Sequence, residues 1–381
     1  MDFTFITVKR IIFGSGRFRD IGREASDLGT RVFLVTGRSF LKKAWRFAEI
    51  EKLFKDLGLE VTVFDSVPPE PSLAVVEAGI KELKAHACDV VIAVGGGSAL
   101  DVGKAIAGLA HAPGTVSEYF HGRTVEAKGL PFIAVPTIAG SGAEVTPNAV
   151  LTDEERGIKA SIRGAHLMAD VAIIDPELML TCPRDVTAFS GMDALCQALE
   201  AYVSRGATPL TDSLAADSAV RLIENLPLAH RDGNDLHPRT EVALGSLMGA
   251  MAFSNARLGL VHGLAHPFGV LTGLPHGLIC GLLLPIIMRF NLPTSAGKYA
   301  RIARGVGLAD AATPDDAAAS SLIAEIEGLN VRMGLDAHRP KLHIPKDKWP
   351  DVTAQTLSSG STKSNPREVT AWDIQQMLET L

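Results

Sequence analysis

The chain is poor in cysteine: Cys88, Cys182, Cys196 and Cys280 are its only four, they lie far apart, and none forms a CxxC pair. That spacing excludes a disulfide framework and a zinc ribbon, and it makes the cytoplasm the expected compartment. Positive charge is not in excess either. The 37 Lys and Arg face 43 Asp and Glu, for a formal net charge of −6. No Lys/Arg run is flanked by aromatics, so nucleic acid is not an expected partner. The opening MDFTFITVKRIIFGSG lacks a basic segment followed by a long apolar one, so no signal peptide is read there; it alternates as strands do. The longest apolar stretch, Gly277 to Met288, is too short to span a bilayer and carries Pro285. A buried helix is expected there and no membrane association. Neither the GxGxxG fingerprint nor the GK[ST] of a P-loop occurs. Internal repeats, low-complexity tracts and extended linkers are also missing.

What is present is a chain of 381 residues, 46% hydrophobic and 21% charged, long enough for an ample core and for two domains, or three. The first half alternates β-rich and helical runs. RVFLVTG (31–37), VTVFDSV (61–67), DVVIAVGGG (89–97), PFIAVPT (131–137) and VAIIDP (171–176) are short apolar segments, several ending in Gly or Pro. This is the rhythm of a parallel α/β sheet. From about Pro183 the pattern changes to long Ala- and Leu-rich helical stretches. The expected fold is an α/β N-terminal domain with a mostly parallel sheet over 1–180, followed by an all-α domain over 181–381. The Ser/Gly/Thr run at 358–364 reads as a loop before the last helix.

Two motifs carry chemistry. His262, His266 and His276 crowd into VHGLAHPFGVLTGLPHG, and neutral imidazoles gathered in an apolar, glycine-rich stretch suit a buried divalent cation. A lone histidine there would more simply be a hydrogen-bonded core group; three together favour the metal. His262 and His266 are four apart and share a helix face, although spacing does not say which of the three bind. Asp193, in the helical GMDALCQALEAY, would add a carboxylate from a second helix, giving a mixed N/O site. Cys196, three residues on, reads as core, because one helix does not readily aim both groups at one ion. The second motif is AVGGGSALDVGKAIA, an apolar strand breaking into glycines and a serine before a helix. Its backbone N–H groups and helix N-terminus suit a phosphate; the plainer alternative is a tight turn that needs positive φ. PTIAGSGAEVT supplies a second small-residue loop at what would be the same sheet edge, and two such loops favour a dinucleotide.

In this order and spacing GGGSALDVGKA, the PTxAGSGAEVT loop, DPELML, GMDAL, VHGLAHPFG…LPHG and NPREVTAWDI resemble the iron-containing (group III) alcohol dehydrogenase family, over nearly the whole chain. The resemblance implies NAD(P) and a metal as cofactors, with 1–180 as the dinucleotide-binding domain and 181–381 as the metal- and substrate-binding domain. Carried over by position, it puts metal ligands at Asp193, His262 and His276, and His266 near the substrate. Gln197 stands four residues after Asp193, where most relatives have a further histidine. A neutral amide is a poor ligand for a first-row metal, so Gln197 is a doubtful fourth ligand and the site resembles the zinc-type arrangement as much as the iron one. Fe2+ and Zn2+ both stay open. The same carry-over assigns Gly96, Gly97 and Ser98 to the pyrophosphate, and Asp101, Thr137, Ser141 and Lys159 to the nicotinamide or ribose. Ile138 replaces a threonine usual in relatives. After the 31–37 run, Gly37, Arg38 and Ser39 stand where NAD-preferring relatives carry an acidic residue. Without that carboxylate a 2′-phosphate is not repelled and Arg38 can pair with it, so NADP(H) is expected to be usable, with its preference over NAD(H) open. Asn148 and Phe253 should face the substrate.

The expected activity is that of a metal-dependent NAD(P)-linked alcohol dehydrogenase or aldehyde reductase acting on a small alcohol or aldehyde, with His266 as the group that relays the alcohol proton. Arg163 and Arg257 are candidates for an anionic substrate, against their ordinary reading as surface residues. Three alternatives compete: a dehydroquinate-synthase-like lyase, for which no basic phosphate cluster is identified; a metal-independent maleylacetate-reductase-like enzyme, conceivable through Gln197 but disfavoured by Asp193; and a cofactor-binding relative without turnover. By analogy with relatives a homo-oligomer, dimer or larger, is expected.

Overall fold

The structure is a computed structural model that describes residues 2–37 and 44–381. The chain divides into two compact units. One comprises Thr7–Ile138 and Gly142–Met179; the other comprises residues 2–6, Ala139–Ser141 and Leu180–Leu381.

The first unit is built on a six-stranded sheet of order β1-β8-β5-β4-β2-β3, with β1 at Arg10–Phe13, β2 at Arg31–Gly37, β3 at Glu60–Val67, β4 at Val90–Gly95, β5 at Phe132–Pro136 and β8 at Val171–Ile174. Every pairing is parallel. Strands β4 and β5 are buried along their whole length, which is why they read as unbroken Val/Ile/Ala runs and not as alternating ones. Between the strands run helices α1 (Ile21–Ser26), α2 (Ala44–Asp56), α3 (Leu73–Ala85), α4 (Gly97–Leu109) and α5 (Val116–Phe120). Ile12, Val32, Leu34, Ile92, Val94, Ile133 and Ile173 share one core cluster with Ile50 and Phe54 of α2. Helix α4 is buried from Ala99 to Leu109. It can lie close to the sheet because Gly103 has no side chain; a Cβ there would stand 2.6 Å from that of Ala93.

Strand β2 has its two successors on opposite sides, β3 on one and β4 on the other. That reversal makes the carboxyl ends of β2 and β4 a topological switch point, where open α/β sheets bind ligands. The register pairs Thr36 with Val94 and Gly95 with Pro136, so the loops after β2, β4 and β5 leave the sheet at one level. A separate antiparallel hairpin, β6 (Asn148–Asp153) with β7 (Ile158–Arg163), was not anticipated.

The second unit is helical: α6 (Arg184–Val203), α7 (Pro209–Arg231), α8 (Leu236–Ala256), α9 (Leu260–Thr272), α10 (His276–Gly305), α11 (Asp315–Arg332), α12 (Trp349–Ser358), α13 (Gly360–Lys363) and α14 (Ala371–Thr380). Two expectations need correction. The apolar stretch after Gly277 does not end at Met288: α10 runs for 30 residues through Pro285 and Pro293, long and apolar enough to cross a membrane by length and composition. The length argument therefore fails, and burial decides the matter, since 67% of its most apolar window is buried inside the protein. The run at 358–364 is not a loop. It forms the end of α12 and the short α13, whose Ser359 Oγ accepts from the Ser361 N–H at 3.2 Å. So short a helix holds by packing: a Cβ on Gly263 of α9 would lie 2.0 Å from Thr362 Oγ1.

Candidate active site

Helix α6 presents Asp193, Cys196, Gln197 and Glu200, spaced three and four apart and therefore on one face. Helix α9 presents His262 and His266. It ends at Gly273 in the left-handed conformation (φ 67°), and extended Pro275 then starts α10 with His276 as its first residue. The left-handed cap is a glycine position, which explains the GLPHG of the histidine block. Gly277 permits the close approach of α10 to α6, since a Cβ there would meet the Phe189 carbonyl oxygen at 2.2 Å and Asp193 Cβ at 3.2 Å.

These helices bring three of the expected ligands together. Asp193 Oδ1 is 3.3 Å from His262 Nε2 and 3.8 Å from His276 Nε2, and the two imidazole centroids are 5.3 Å apart. Asp193, Gln197 and His262 are buried, yet Asp193 Oδ1, Gln197 Oε1 and His262 Nε2 have no hydrogen-bond partner. Leaving such an atom buried and unpaired costs about 1–3 kcal/mol each, and the approach of Asp193 Oδ1 to His262 Nε2 with His276 Nε2 beside them calls for a cation. A carboxylate oxygen and two imidazole nitrogens are the donor types that hold divalent zinc or iron, and the residues present fit one.

Behind the ligands lies a supporting layer that sequence reasoning missed. Glu200 Oε2 accepts from His262 Nδ1 at 2.6 Å, while its Oε1 accepts from the Val261 N–H at 2.6 Å. Asn365, from the NPR segment, accepts from the Leu260 N–H at 3.2 Å and is held by Asn291. The first N–H groups of α9, which have no acceptor within the helix, are thus satisfied by side chains. The position of Glu200 on the Asp193 face, seven residues on, was a usable signal. Burial opposes the charge on Asp193, but His276 and His262 hold its carboxyl below the ordinary range. Burial likewise opposes the charge on His262; the neighbouring Cys280 and Glu200 raise its pKa well above the usual value. Cys196 is fully buried, as expected of core, and groups with Glu200 and His262 instead of with Asp193. His266 is exposed, its ring 5.5 Å from that of His276. Phe253, on α8, is half-buried and packs against the helical core.

In the other unit β4 passes through Gly96 into α4, whose first residues are Gly97 and Ser98. Gly96 has φ −78°, and none of Gly95, Gly96 and Gly97 is among the glycines of positive φ. The tight-turn alternative is therefore overturned. Two of these glycines serve close approach: a Cβ on Gly95 would stand 2.7 Å from that of Ala99, and one on Gly96 2.9 Å from Ile138 Cδ1. Thr137 donates its N–H to the Gly95 carbonyl at 2.9 Å and ties the two loops together. Asp101 lies one turn into α4 beside Lys104, at 3.8 Å. Burial pushes its carboxyl up to about 6 despite the Lys104 charge. Buried Lys104, not singled out from sequence, donates to the carbonyls of Thr146 (2.8 Å) and Asn148 (2.7 Å) and so fixes the start of β6. Lys159 pairs with Glu70 at 2.7 Å. Gly37 closes β2; Arg38 and Ser39 lie outside the described residues. Ser141 groups with the helical unit.

With this geometry in view, likeness to known proteins becomes specific. The iron-containing alcohol dehydrogenase family pattern matches residues 8–176, and the pattern of the C-terminal part of the Fe-containing alcohol dehydrogenase family matches 187–381. The chain is 33% identical over 368 residues to the NAD-dependent methanol dehydrogenase of Bacillus methanolicus, covering 97% of each. A crystal structure of 1,3-propanediol oxidoreductase superposes with a TM-score of 0.95 at 34% identity, over 100% of both chains. The sulfoacetaldehyde reductase of Bifidobacterium kashiwanohense, solved in complex with NAD+, does so at 0.89 and 32%, covering 100% of this chain and 99% of that one. The chain belongs to the iron-containing alcohol dehydrogenase family. It is accordingly an enzyme, an oxidoreductase with the α/β and helical architecture of that family.

Proposed function

We propose that this enzyme is a metal-dependent, NAD(P)-linked alcohol dehydrogenase or aldehyde reductase acting on small alcohols or aldehydes. The observation that carries the reading is the convergence of unpartnered Asp193 Oδ1 and His262 Nε2 with His276 Nε2 in a buried position. Asp193, His262 and His276 would hold a divalent ion, Fe2+ or Zn2+, which supplies Lewis-acid polarisation of the substrate oxygen. Glu200 takes the Nδ1 proton of His262 in a hydrogen bond and thereby leaves Nε2 as the free donor atom. His266, exposed beside His276, carries the alcohol proton to solvent.

The nicotinamide cofactor supplies or accepts the hydride, and the N-terminus of α4 with Gly96, Gly97 and Ser98 binds its pyrophosphate. Asp101, Thr137, Ser141 and Lys159 are assigned to the nicotinamide and ribose, and Asn148 and Phe253 to the substrate. The lack of an acidic residue at Gly37, Arg38 and Ser39 supports use of NADP(H). By analogy with relatives the enzyme is a homo-oligomer, and its sparse, unpaired cysteines suit the cytoplasm.

Metal analysis combined with Asp193→Asn tests the reading. The purified enzyme is expected to hold a single divalent ion per chain, and the variant to lose both ion and turnover while keeping its fold. A fully active, metal-free protein would instead support the metal-independent alternative.

A second reading, within this one, concerns substrate charge. Arg257 has φ 71° and ψ 177° with an exposed side chain, a conformation that arginine adopts only at a cost. Strain retained at the entrance to the histidine-bearing α9 favours an anionic aldehyde that the guanidinium recognises.

A further inference from the structure

Four residues after Asp193, Gln197 brings a neutral amide where imidazole or thiolate would bind a first-row cation better. Another group reaches the same place. Cys280 follows His276 by one helical turn on α10, so the two side chains share a face, and its Sγ lies 3.5 Å from His276 Nε2. One donor atom from each of Asp193, His262, His276 and Cys280 lies within 4.8 Å of all the others.

The separations are those of a coordination shell. Bonds of about 2.0–2.1 Å to nitrogen or oxygen and about 2.3 Å to sulfur, at tetrahedral angles, put neighbouring ligand atoms roughly 3.3–3.6 Å apart. Here His262 Nε2 to Asp193 Oδ1 is 3.3 Å, His276 Nε2 to Cys280 Sγ is 3.5 Å and His276 Nε2 to Asp193 Oδ1 is 3.8 Å. The buried thiol of Cys196, on α6, does not compete for this role. Cys196 Sγ lies 3.9 Å from His262 Nδ1, the nitrogen that faces Glu200 and not the one left free.

We propose that Cys280, as thiolate, is the fourth protein ligand of the metal, in place of Gln197. The inference rests on the reading that Asp193, His262 and His276 hold a divalent ion. On binding, the Sγ–H bond breaks, its proton goes to solvent and the sulfur lone pair goes to the metal. A soft thiolate in the shell tilts selection from iron towards zinc.

Cobalt(II) provides the test, since a thiolate ligand produces a near-ultraviolet sulfur-to-cobalt charge-transfer band that nitrogen and oxygen ligands do not. Metal-free enzyme reconstituted with Co2+ alone is expected to show that band at one ion per chain. Cys196→Ser should keep it; Cys280→Ser should lose it while still binding cobalt. Wild-type protein that binds cobalt without the band overturns this inference and leaves the triad standing, and so does a band that disappears in Cys196→Ser but survives in Cys280→Ser. Protein that takes up no cobalt overturns both. If one variant does not fold, the spectrum of the other still decides between the two thiols.

Discussion

Glu200 Oε2 stands 2.6 Å from His262 Nδ1, and both side chains are buried. A carboxylate only accepts, so the imidazole must donate from Nδ1, and the lone pair on Nε2 is directed to where Asp193 Oδ1 lies 3.3 Å away. Carboxylates placed behind a metal-binding histidine typically account for 10–100-fold in metal affinity. Glu200→Gln is therefore expected to weaken zinc binding by about that factor, with the far-ultraviolet circular dichroism unchanged. A chelator-competition titration measures it. Unaltered affinity would mean that the orientation of His262 does not depend on this contact.

The proposed cofactor choice can be tested at the end of β2. Gly37 is its last residue, and among the described residues only the Val67 carbonyl oxygen comes near its Cβ position, at 3.7 Å. A carboxylate fits there without disturbing the sheet, would accept from the 2′-hydroxyl of NAD and would repel a 2′-phosphate. Gly37→Asp should lower kcat/KM with NADPH relative to NADH by about tenfold or more, equivalent to about 1.4 kcal/mol. If the ratio of the two is unmoved, the adenosine ribose does not bind beside Gly37.

The same two regions show how far the chain could be read before its structure. All the β-rich runs of the first half enter one sheet: β4 and β5, buried along their length, announce themselves as unbroken apolar segments, and the edge strand β3, exposed at Asp65 and Ser66, by its Val, Thr and Phe content. The β6–β7 hairpin did not, since Asn148–Asp153 alternates half-buried and buried residues and carries polar side chains at Asn148, Thr152 and Asp153. At the candidate metal centre the histidine block was legible because three imidazoles in an apolar stretch are unusual. Glu200 and Cys280 were missed: their helical spacing from Asp193 and His276 put them on the same faces, but only the packing of α6 against α9 and α10 shows those faces turned inward. Asn365 lies some hundred residues from the helix it caps, at a separation no local pattern reports.

Glu144 offers a pH dependence whose sign can be worked out. It is buried, and burial pushes its carboxyl from the ordinary 4.5 up to about 7, with the Lys104 charge only partly offsetting this and Asp101 adding to it. The folded state therefore keeps this proton longer than the unfolded chain does. Below pH 4.5 both states are protonated; as pH rises towards 7 the unfolded chain ionises first, and stability falls. The full displacement corresponds to roughly 3 kcal/mol. Glu144→Gln removes it. Urea midpoints of the variant and the wild type should move apart across this window, the variant gaining at the upper end. Lys104, lowered by burial to about 8 and held up in part by Asp101 and Glu144, contributes in the opposite sense at higher pH, so the comparison is made below that range. A gap that stays constant between the two ends of the window would mean that Glu144 does not titrate there.

Arg257 allows strain and recognition to be separated in a single variant. Its φ of 71° and ψ of 177° lie in a region that only glycine occupies without penalty, and such a conformation costs about 1–3 kcal/mol. The neighbouring backbone imposes it. The Arg257 N–H closes α8 on the Phe253 carbonyl at 2.8 Å, the Ala256 carbonyl accepts from Ser204 Oγ at 2.5 Å, and α9 starts three residues on with its first N–H groups fixed. The Arg257 side chain is exposed. Arg257→Gly is accordingly expected to raise the unfolding free energy by about 1 kcal/mol. If the arginine recognises an anionic group, the same variant loses a charge-assisted hydrogen bond of about 1.5–3 kcal/mol, and kcat/KM for an aldehyde bearing a sulfonate or carboxylate falls by about tenfold or more. A neutral aldehyde of equal length should be nearly unaffected. Equal losses on both substrates would remove Arg257 from substrate recognition, and a variant no more stable than wild type would show that the strained backbone carries no penalty here.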